Sequence, residues 1–121
     1  MKSCDIHCNC VIFHQETLNQ VEKDLYPDDE IIKLVDIFKI YADKTRVKIL
    51  ESIKEHELCV CDLAHLLGVS KSAISHQMTY LKKYQLVENN KQGKMVYYKL
   101  KNSHASQIIT HAHHLMKGLN I

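Results

Sequence analysis

The chain has 121 residues, enough for one domain with a hydrophobic core, and 45% of them are apolar and 25% charged. The sequence has no apolar run that could cross a bilayer and no pattern typical of a signal peptide, so we expect a cytoplasmic protein without a membrane partner. The net charge is only +2, and an odd number of cysteines, five, argues against a disulfide scaffold.

The charges are distributed unevenly along the chain. Residues 1–36 carry three lysines against eight acidic residues, a local charge of −5. Residues 70–101 carry seven lysines against a single acidic residue, Glu88, a local charge of +6. Such a segment is typical of a surface that meets nucleic-acid phosphates, although a solvated lysine-rich surface has the same composition. Charge alone leaves both interpretations open.

The first residues of the chain are rich in metal-donor side chains and lack any clear periodicity. We expect residues 1–12 to form a flexible metal-binding arm and residues 13–121 to form the folded domain. The donors in this arm are Cys4, His7, Cys8 and Cys10. Apolar spacing then predicts a helix over 14–26, ended by Pro27, and a second helix that extends to Tyr41. Asp28 or Asp29 is the expected cap of this second helix.

Three further helices are predicted in the middle of the chain, over residues 44–55, 58–67 and 71–84. Asp43 is the expected cap of the first of them. Gly68 suits a helix end with positive φ, and Ser70 is the expected cap of the last. The last helix has polar residues on its outer face, and its expected inner face consists of Ala73, Ile74, Met78 and Leu81. This pattern is typical of a helix-turn-helix.

A β-hairpin and a final helix are predicted to follow. Strands over 86–90 and 94–100 are joined by a turn over 90–93, which predicts a mainly α fold with a β-hairpin wing, a winged helix-turn-helix. The final helix, over 102–119, has an apolar stripe with little core left to cover. We expect a homodimer through the N- and C-terminal helices. The alternative is that the last helix packs on the first helices of its own chain.

The second cluster of thiols, Cys59 and Cys61, lies at the start of the helix that precedes the turn. Thiolates select soft metal ions, and a closed tetrahedral site needs four ligands. Cys4 and Cys8 have a spacing that suits the other two ligands, with His7 and Cys10 as extra donors. Two alternatives use the same cysteines: a small apolar side chain in the core, and a thiol redox switch. No glycine-rich anion loop accompanies them, which argues against a cysteine-nucleophile enzyme.

With these residues identified, the chain resembles the ArsR/SmtB family of metal-responsive repressors over about residues 30–119. The most specific part is residues 57–64, with the sequence Glu-Leu-Cys-Val-Cys-Asp-Leu-Ala. The arm, in which three residues separate Cys4 from Cys8, makes the chain similar to the cadmium- and lead-responsive members. Arsenite-responsive members share the helix motif but lack the arm cysteines, and an arsenite response stays the alternative.

The resemblance implies a dimeric regulator that is not an enzyme and has no small organic substrate. In the family, the arm of one subunit meets the cysteine helix of the other, which would bring Cys4 and Cys8 to Cys59 and Cys61. Cd²⁺, Pb²⁺ or Zn²⁺ would then release the repressor from operator DNA and derepress a metal efflux or resistance operon. The expected DNA-binding residues are Ser70, Lys71, Ser72, Ser75, His76, Gln77, Tyr80, Lys82, Lys83, Lys91 and Lys94.

A second, weaker metal site is a further possibility in the last helix. His104 and His111 share one face and His114 lies near it, although surface histidines on a dimer helix are the simpler interpretation. The family's second zinc site has further ligands at three positions that here hold Asn102, Leu115 and Gly118. We therefore do not expect a complete second site.

Overall fold

The structure is a computed structural model that describes residues 14–121. The arm over 1–12, with Cys4, His7, Cys8 and Cys10, lies outside the described residues. The described elements are α1 (Gln15–Asp24), α2 (Asp28–Tyr41), α3 (Lys44–Ser52), β1 (Leu58–Cys59), α4 (Val60–Leu67), α5 (Lys71–Lys83), β2 (Val87–Gln92), β3 (Met95–Leu100) and α6 (His104–Leu119). The prediction of a mainly α fold with a β-hairpin is confirmed.

The chain divides into two compact units, residues 1–35 and residues 36–121. In the first unit, every side chain from residue 14 to residue 35 is exposed, including the apolar residues of α1 and of the first half of α2. Pro27 lies between the two helices, and its carbonyl accepts hydrogen bonds from the backbone of Glu30 and Ile31. Asp28 is therefore the first residue of α2, and the expectation that Asp28 or Asp29 caps this helix was wrong.

The hydrophobic core lies in the second unit and is built from the helices and the hairpin together. Its members are Ile40, Ile49, Leu50, Ile53, Leu63, Ala64, Ile74, Met78, Leu81, Val87 and Ala105. Three of the four residues expected on the inner face of α5 are buried in this core, whereas Ala73 is exposed. Tyr41 packs against the core at the end of α2, and burial raises the pKa of its phenol above the ordinary value.

The local signals that predicted the helix-turn-helix are confirmed. The Asp43 carboxylate accepts a hydrogen bond from the backbone N–H of Arg46 at 2.9 Å and so caps α3. Gly68 ends α4 with φ +66°, a left-handed conformation that glycine adopts without steric cost. The Ser70 hydroxyl accepts from the backbone of Ala73 at 3.0 Å and caps α5. The turn therefore holds α4 and α5 as the sequence predicted.

The start of α4 differs from the sequence prediction. Leu58 and Cys59 form the short strand β1, and the helix begins only at Val60. β1 pairs antiparallel with β3, so that Leu58 lies opposite Tyr98 and Cys59 opposite Tyr97. The partner strand is forty residues away along the chain, and no local pattern around Cys59 could have indicated the pairing.

The hairpin adds the two remaining strands of a sheet whose order is β1-β3-β2. β2 and β3 are antiparallel along their whole length, from Val87 opposite Leu100 to Gln92 opposite Met95. Strand β2 is therefore longer than predicted, and the turn consists of Gly93 and Lys94, with Gly93 at φ +62°. The wing projects from the core on a narrow two-residue turn.

The apolar stripe of α6 is largely uncovered in the described chain. Ala105 is buried and Ile109 is partly buried against the core, but Leu115 and Leu119 are 60% and 61% exposed. Residues 14–121 thus leave an apolar face at this end, as the sequence analysis expected. Within the same residues, no helix is long and apolar enough to cross a membrane.

We expect Ser70→Ala to lower the free energy of unfolding by about 1 kcal/mol, because α5 loses the hydroxyl that accepts the Ala73 N–H. Urea denaturation at a fixed protein concentration measures this change. The matched control is Ser72→Ala on the exposed face of the same helix, which should change stability by at most about 0.5 kcal/mol. Equal effects of the two substitutions would contradict the capping role.

Candidate nucleic-acid interface and metal site

The first half of α5 presents a polar surface to solvent. The side chains of Ser72, Ser75 and His76 are exposed, and Lys71 lies beside them at the start of the helix. Short hydroxyls and an imidazole can donate to or accept from the edges of bases, and a lysine can pair with a phosphate. These predicted DNA-binding residues therefore form one accessible face, directly after the Ser70 cap.

Gln77 and Tyr80 are half-buried, because Arg46 of α3 packs against both. The guanidinium Nη1 donates to Gln77 Oε1 at 3.3 Å, and the guanidinium carbon lies 4.4 Å from the centre of the Tyr80 ring. Nε donates to the Ile40 carbonyl at 2.8 Å, and Nη2 donates to the Lys39 carbonyl at 3.0 Å. Arg46 therefore joins the end of α2 to the middle of α5.

Arg46 was missed in the sequence analysis. It lies in the first turn of α3, outside the apolar spacing that marked the core, and its contacts on α5 are more than thirty residues away. The one local signal was the Asp43 cap, which fixes where α3 begins and hence which way Arg46 projects. Nothing local pointed to Gln77 or Tyr80 as its partners.

The second half of α5 carries aromatic rings and lysines side by side. The rings of Tyr80 and Tyr84 are 5.0 Å apart, and Lys83 Nζ lies 5.7 Å from the centre of the Tyr84 ring. A depression of about 380 Å³ lies between α5 and β3 and is lined by Met78, Thr79, Lys82, Lys83 and Tyr98. Its two lysines and the hydroxyls of its threonine and tyrosine make it a suitable position for a phosphate.

The lysines of the hairpin fall into two groups. Lys91 and Lys94, at the tip of the wing, are exposed. Lys99 lies opposite Glu88 in the β2–β3 register, and their charged groups are 3.5 Å apart. Lys101 Nζ donates to Gln85 Oε1 at 3.0 Å. The positive charge that projects farthest along the wing is therefore at its tip, where both lysines were predicted to contact DNA.

Cys59 and Cys61 lie at one junction but in different environments. Cys59 is the last residue of β1 and the N-cap of α4, and its side chain is only 4% exposed. Cys61 lies in the first turn of α4 and is exposed, and both thiols are free. The Asp62 carboxylate accepts from the backbone N–H of Cys59 at 3.2 Å, an arrangement typical of a capping box. Asp62, considered as an oxygen ligand, thus already holds the junction.

The described residues supply two of the four thiolates that a closed soft-metal site needs. Cys59 and Cys61 are chemically suited to such an ion, because thiolate sulfur prefers soft metals. Nowhere in residues 14–121 do three or more histidine, cysteine or acidic side chains gather as a group that could hold a metal. The pair therefore fits part of a metal site, and the remaining predicted ligands, Cys4, Cys8 and the extra donors His7 and Cys10, lie outside the described residues.

The histidines of α6 are not gathered into a site either. His111 and His114 line a shallow depression of about 280 Å³ with Ser106, Gln107 and Thr110. His104 is exposed at the start of the helix, where its backbone N–H donates to Asn102 Oδ1 at 3.0 Å. This arrangement gives no support to the weak second site, as the substitutions at Asn102, Leu115 and Gly118 led us to expect.

Known proteins resemble the chain across both the thiol junction and α5. Residues 43–89 match the model of the bacterial regulatory protein, arsR family. A transcriptional repressor SmtB homolog of Synechocystis sp. is 34% identical over 101 residues, which are 84% of this chain and 76% of the relative. A cadmium resistance transcriptional regulatory protein CadC homolog of Staphylococcus aureus is 35% identical over 106 residues, 87% of each chain.

Solved structures resemble the fold as well. Reduced HlyU from Vibrio cholerae superposes with a TM-score of 0.64 at 30% identity, and the match covers 73% of this chain and 93% of that one. The similarity covers most of the solved chain, so the arrangement of helices and hairpin described above is shared as a whole.

We expect the double substitution Lys91→Ala and Lys94→Ala to make DNA binding less sensitive to salt. Each lost phosphate contact should reduce the slope of log affinity against log salt concentration by about 0.9, because fewer counterions are released. Fluorescence anisotropy with a DNA duplex at several salt concentrations measures the slope. The matched control is Lys99→Ala, whose ammonium pairs with Glu88 on the same hairpin and should leave the slope unchanged. A slope unaffected by the double substitution would exclude the wing tip from the interface.

Proposed function

This chain belongs to the ArsR/SmtB family of metal-responsive transcriptional repressors, which are DNA-binding regulators and not enzymes, and from that premise we propose which ion it senses and how. It acts in the cytoplasm as a homodimer that binds operator DNA. Cd²⁺, Pb²⁺ or Zn²⁺ releases the dimer from that DNA and derepresses a metal efflux or resistance operon. The name of the Staphylococcus aureus relative, a cadmium resistance regulator, supports the choice of a thiophilic ion.

The observation that carries this proposal is the position of Cys59. Its backbone is paired with β3 of the wing, and its residue is the N-cap of α4, which leads through Gly68 into α5. A ligand held by Cys59 and Cys61 therefore acts on the common base of the two elements that face DNA. A thiol pair elsewhere on the surface would lack this connection.

The four-sulfur site combines Cys59 and Cys61 of one subunit with Cys4 and Cys8 of the other. Two thiolates alone leave a tetrahedral ion open to water, and the arm supplies two more at a suitable spacing. His7 and Cys10 are additional donors in the same arm. The bound ion supplies charge and a geometric preference for its ligands, and the cysteines release protons when they bind it, so induction should weaken as the pH falls.

The coupling between metal and DNA arises from what Cys59 must give up. Its side chain is buried, and its backbone bonds to Asp62 and pairs next to Tyr97. Coordination to an ion shared with an arm pulls on this junction, and the pull reaches α4 and β3 together. A coupling free energy on the order of 1–3 kcal/mol would weaken operator affinity by roughly 5- to 150-fold, and DNA would weaken metal affinity by the same factor.

On DNA, the two α5 helices of a dimer enter successive major grooves of a site with two-fold symmetry. Ser72, Ser75, His76 and Gln77 contact base edges. The residues assigned to the sugar–phosphate backbone are Ser70, Lys71, Tyr80, Lys82, Lys83, Lys91 and Lys94. The exposed face of α6, with the exposed apolar residues of α1 and α2, supplies the surface that the dimer buries.

We expect the double substitution Cys59→Ser and Cys61→Ser to keep operator affinity within about twofold while abolishing release by cadmium, because the DNA-contacting residues are untouched and the thiolates are gone. A gel shift on the DNA upstream of the protein's own gene, repeated with Cd²⁺, Pb²⁺, Zn²⁺ and arsenite, measures both properties. The matched control is Cys10→Ser, which should respond to cadmium as the parent does. Release of the double variant at the parent's cadmium concentration would overturn the mechanism.

The same titrations separate the alternatives. A parent protein that arsenite releases and that cadmium and lead do not would be an arsenite-responsive repressor using Cys59 and Cys61. Release by an oxidant, with no sulfur-to-metal absorption band on addition of Cd²⁺ to the reduced protein, would identify a thiol redox switch instead.

We expect Leu115→Glu with Leu119→Glu to convert the dimer into a monomer, because two carboxylates would be buried in the apolar contact. Analytical ultracentrifugation at micromolar concentration measures the change in mass. His113→Glu, an exposed substitution on the same helix that points nearly opposite the stripe, is the matched control and should remain dimeric. A double variant that keeps the mass of the dimer would exclude α6 as the main contact.

A further inference from the structure

Arg46 has a set of contacts that goes beyond holding two helices together. We propose that Arg46 is a positioning residue for base recognition: it fixes the side-chain amide of Gln77 so that only its Nε2 donor faces DNA. The inference rests on the proposed function, since it concerns how α5 reads an operator. It predicts the chemical class of base edge that Gln77 selects.

The orientation of the Gln77 amide follows from the chemistry of its partner. A guanidinium has five N–H donors and no acceptor, so the amide must turn its oxygen toward Arg46. The Nη1–Oε1 distance of 3.3 Å agrees with this single arrangement. The NH₂ group then projects away from Arg46, and the amide can only donate to a further partner through it.

Arg46 is held firmly enough to impose this orientation. Its Nε and Nη2 donate to the carbonyls of Ile40 and Lys39 in the last turn of α2, at 2.8 and 3.0 Å. The end of a helix carries partial negative charge and favours a cation. The Tyr80 ring, 4.4 Å away, fixes one side of the guanidinium. Rotation of Arg46 away from Gln77 would disturb all three contacts.

The surroundings of Gln77 leave its face of α5 accessible to a base. Ala73 lies one turn earlier on the same side of the helix and is exposed, contrary to the sequence expectation. His76, the adjacent residue, is also exposed. Gln77 is therefore half-buried by Arg46 and Tyr80 on one side and open toward the N-terminal half of α5 on the other.

A glutamine with a free amide reads adenine through two hydrogen bonds, donating to N7 and accepting from the N6 amino group. Gln77 lacks the second of these, because its oxygen is occupied by Arg46. It is therefore suited to an edge that presents acceptors, namely N7 and O6 of guanine or O4 of thymine. Arg46 in this way changes the base preference of a residue without contacting DNA.

Selection of binding sites from random-sequence duplexes tests the proposal, with competition assays on the selected sequences. For the parent protein we expect one base pair in each half-site to favour guanine or thymine edges by about fivefold. Gln77→Ala and Gln77→Glu should lose this preference. Gln77→Glu keeps a partner for Arg46 and should preserve the melting temperature, so it remains informative if substitutions at Arg46 impair folding.

Arg46→Lys gives the decisive result, because lysine lacks the planar fork that holds Gln77 and both carbonyls at once. The freed amide should shift the preference at that same base pair toward adenine. The variant Arg46→Lys with Gln77→Ala should show only the profile of Gln77→Ala. A merely structural arginine would lower affinity for all duplexes equally and leave the preferred base unchanged.

Two outcomes overturn the inference and are distinguishable. If the parent enriches a sequence but Arg46→Lys or Gln77→Ala keeps the same preference at every position, the positioning role is wrong and the proposed function stands. If the parent enriches no sequence at all, the proposed function fails, and the inference fails with it.

Discussion

The second unit of this chain depends on one guanidinium group. Arg46 closes the end of α2, lies against an aromatic ring of α5 and bonds to a glutamine on the same helix. Each contact is modest in water, but together they fix the rotation of α5 about its own axis. The core behind α5 is apolar and non-directional, so it limits the distance between the helices more strongly than this rotation. A helix that reads base edges needs both.

A second constraint lies at the other end of the helix-turn-helix, where β1 joins α4. The two-residue strand uses only Leu58 and Cys59, yet it connects the wing to the helix that leads into α5. Short pairings of this kind contribute little to stability and are easily disturbed, which suits a regulatory position. The thiol pair occupies the point of the fold where a small displacement reaches the most DNA-facing surface.

The extent to which the sequence predicted this molecule follows the range of the interactions. Gly68 and Ser70 were predicted correctly because a turn and a helix cap depend on neighbours within three or four residues. Strand β1 and Arg46 were missed because their partners, Tyr97 and Gln77, are brought near only by the complete fold. Ala73 was placed on the wrong face by reading an apolar residue as a buried one. The arm ligands Cys4 and Cys8 remain predictions, as they lie outside the described residues.

The unequal exposure of Cys59 and Cys61 has a kinetic consequence. A thiophilic reagent that arrives from solvent meets Cys61 first, because Cys59 is buried beneath the strand-to-helix junction. Reaction at Cys59 must wait until the junction opens, so its rate should stop rising once the reagent is abundant. The opening frequency of the chain itself then limits the response time, and a brief exposure to a reagent would modify one thiol while the other is still protected.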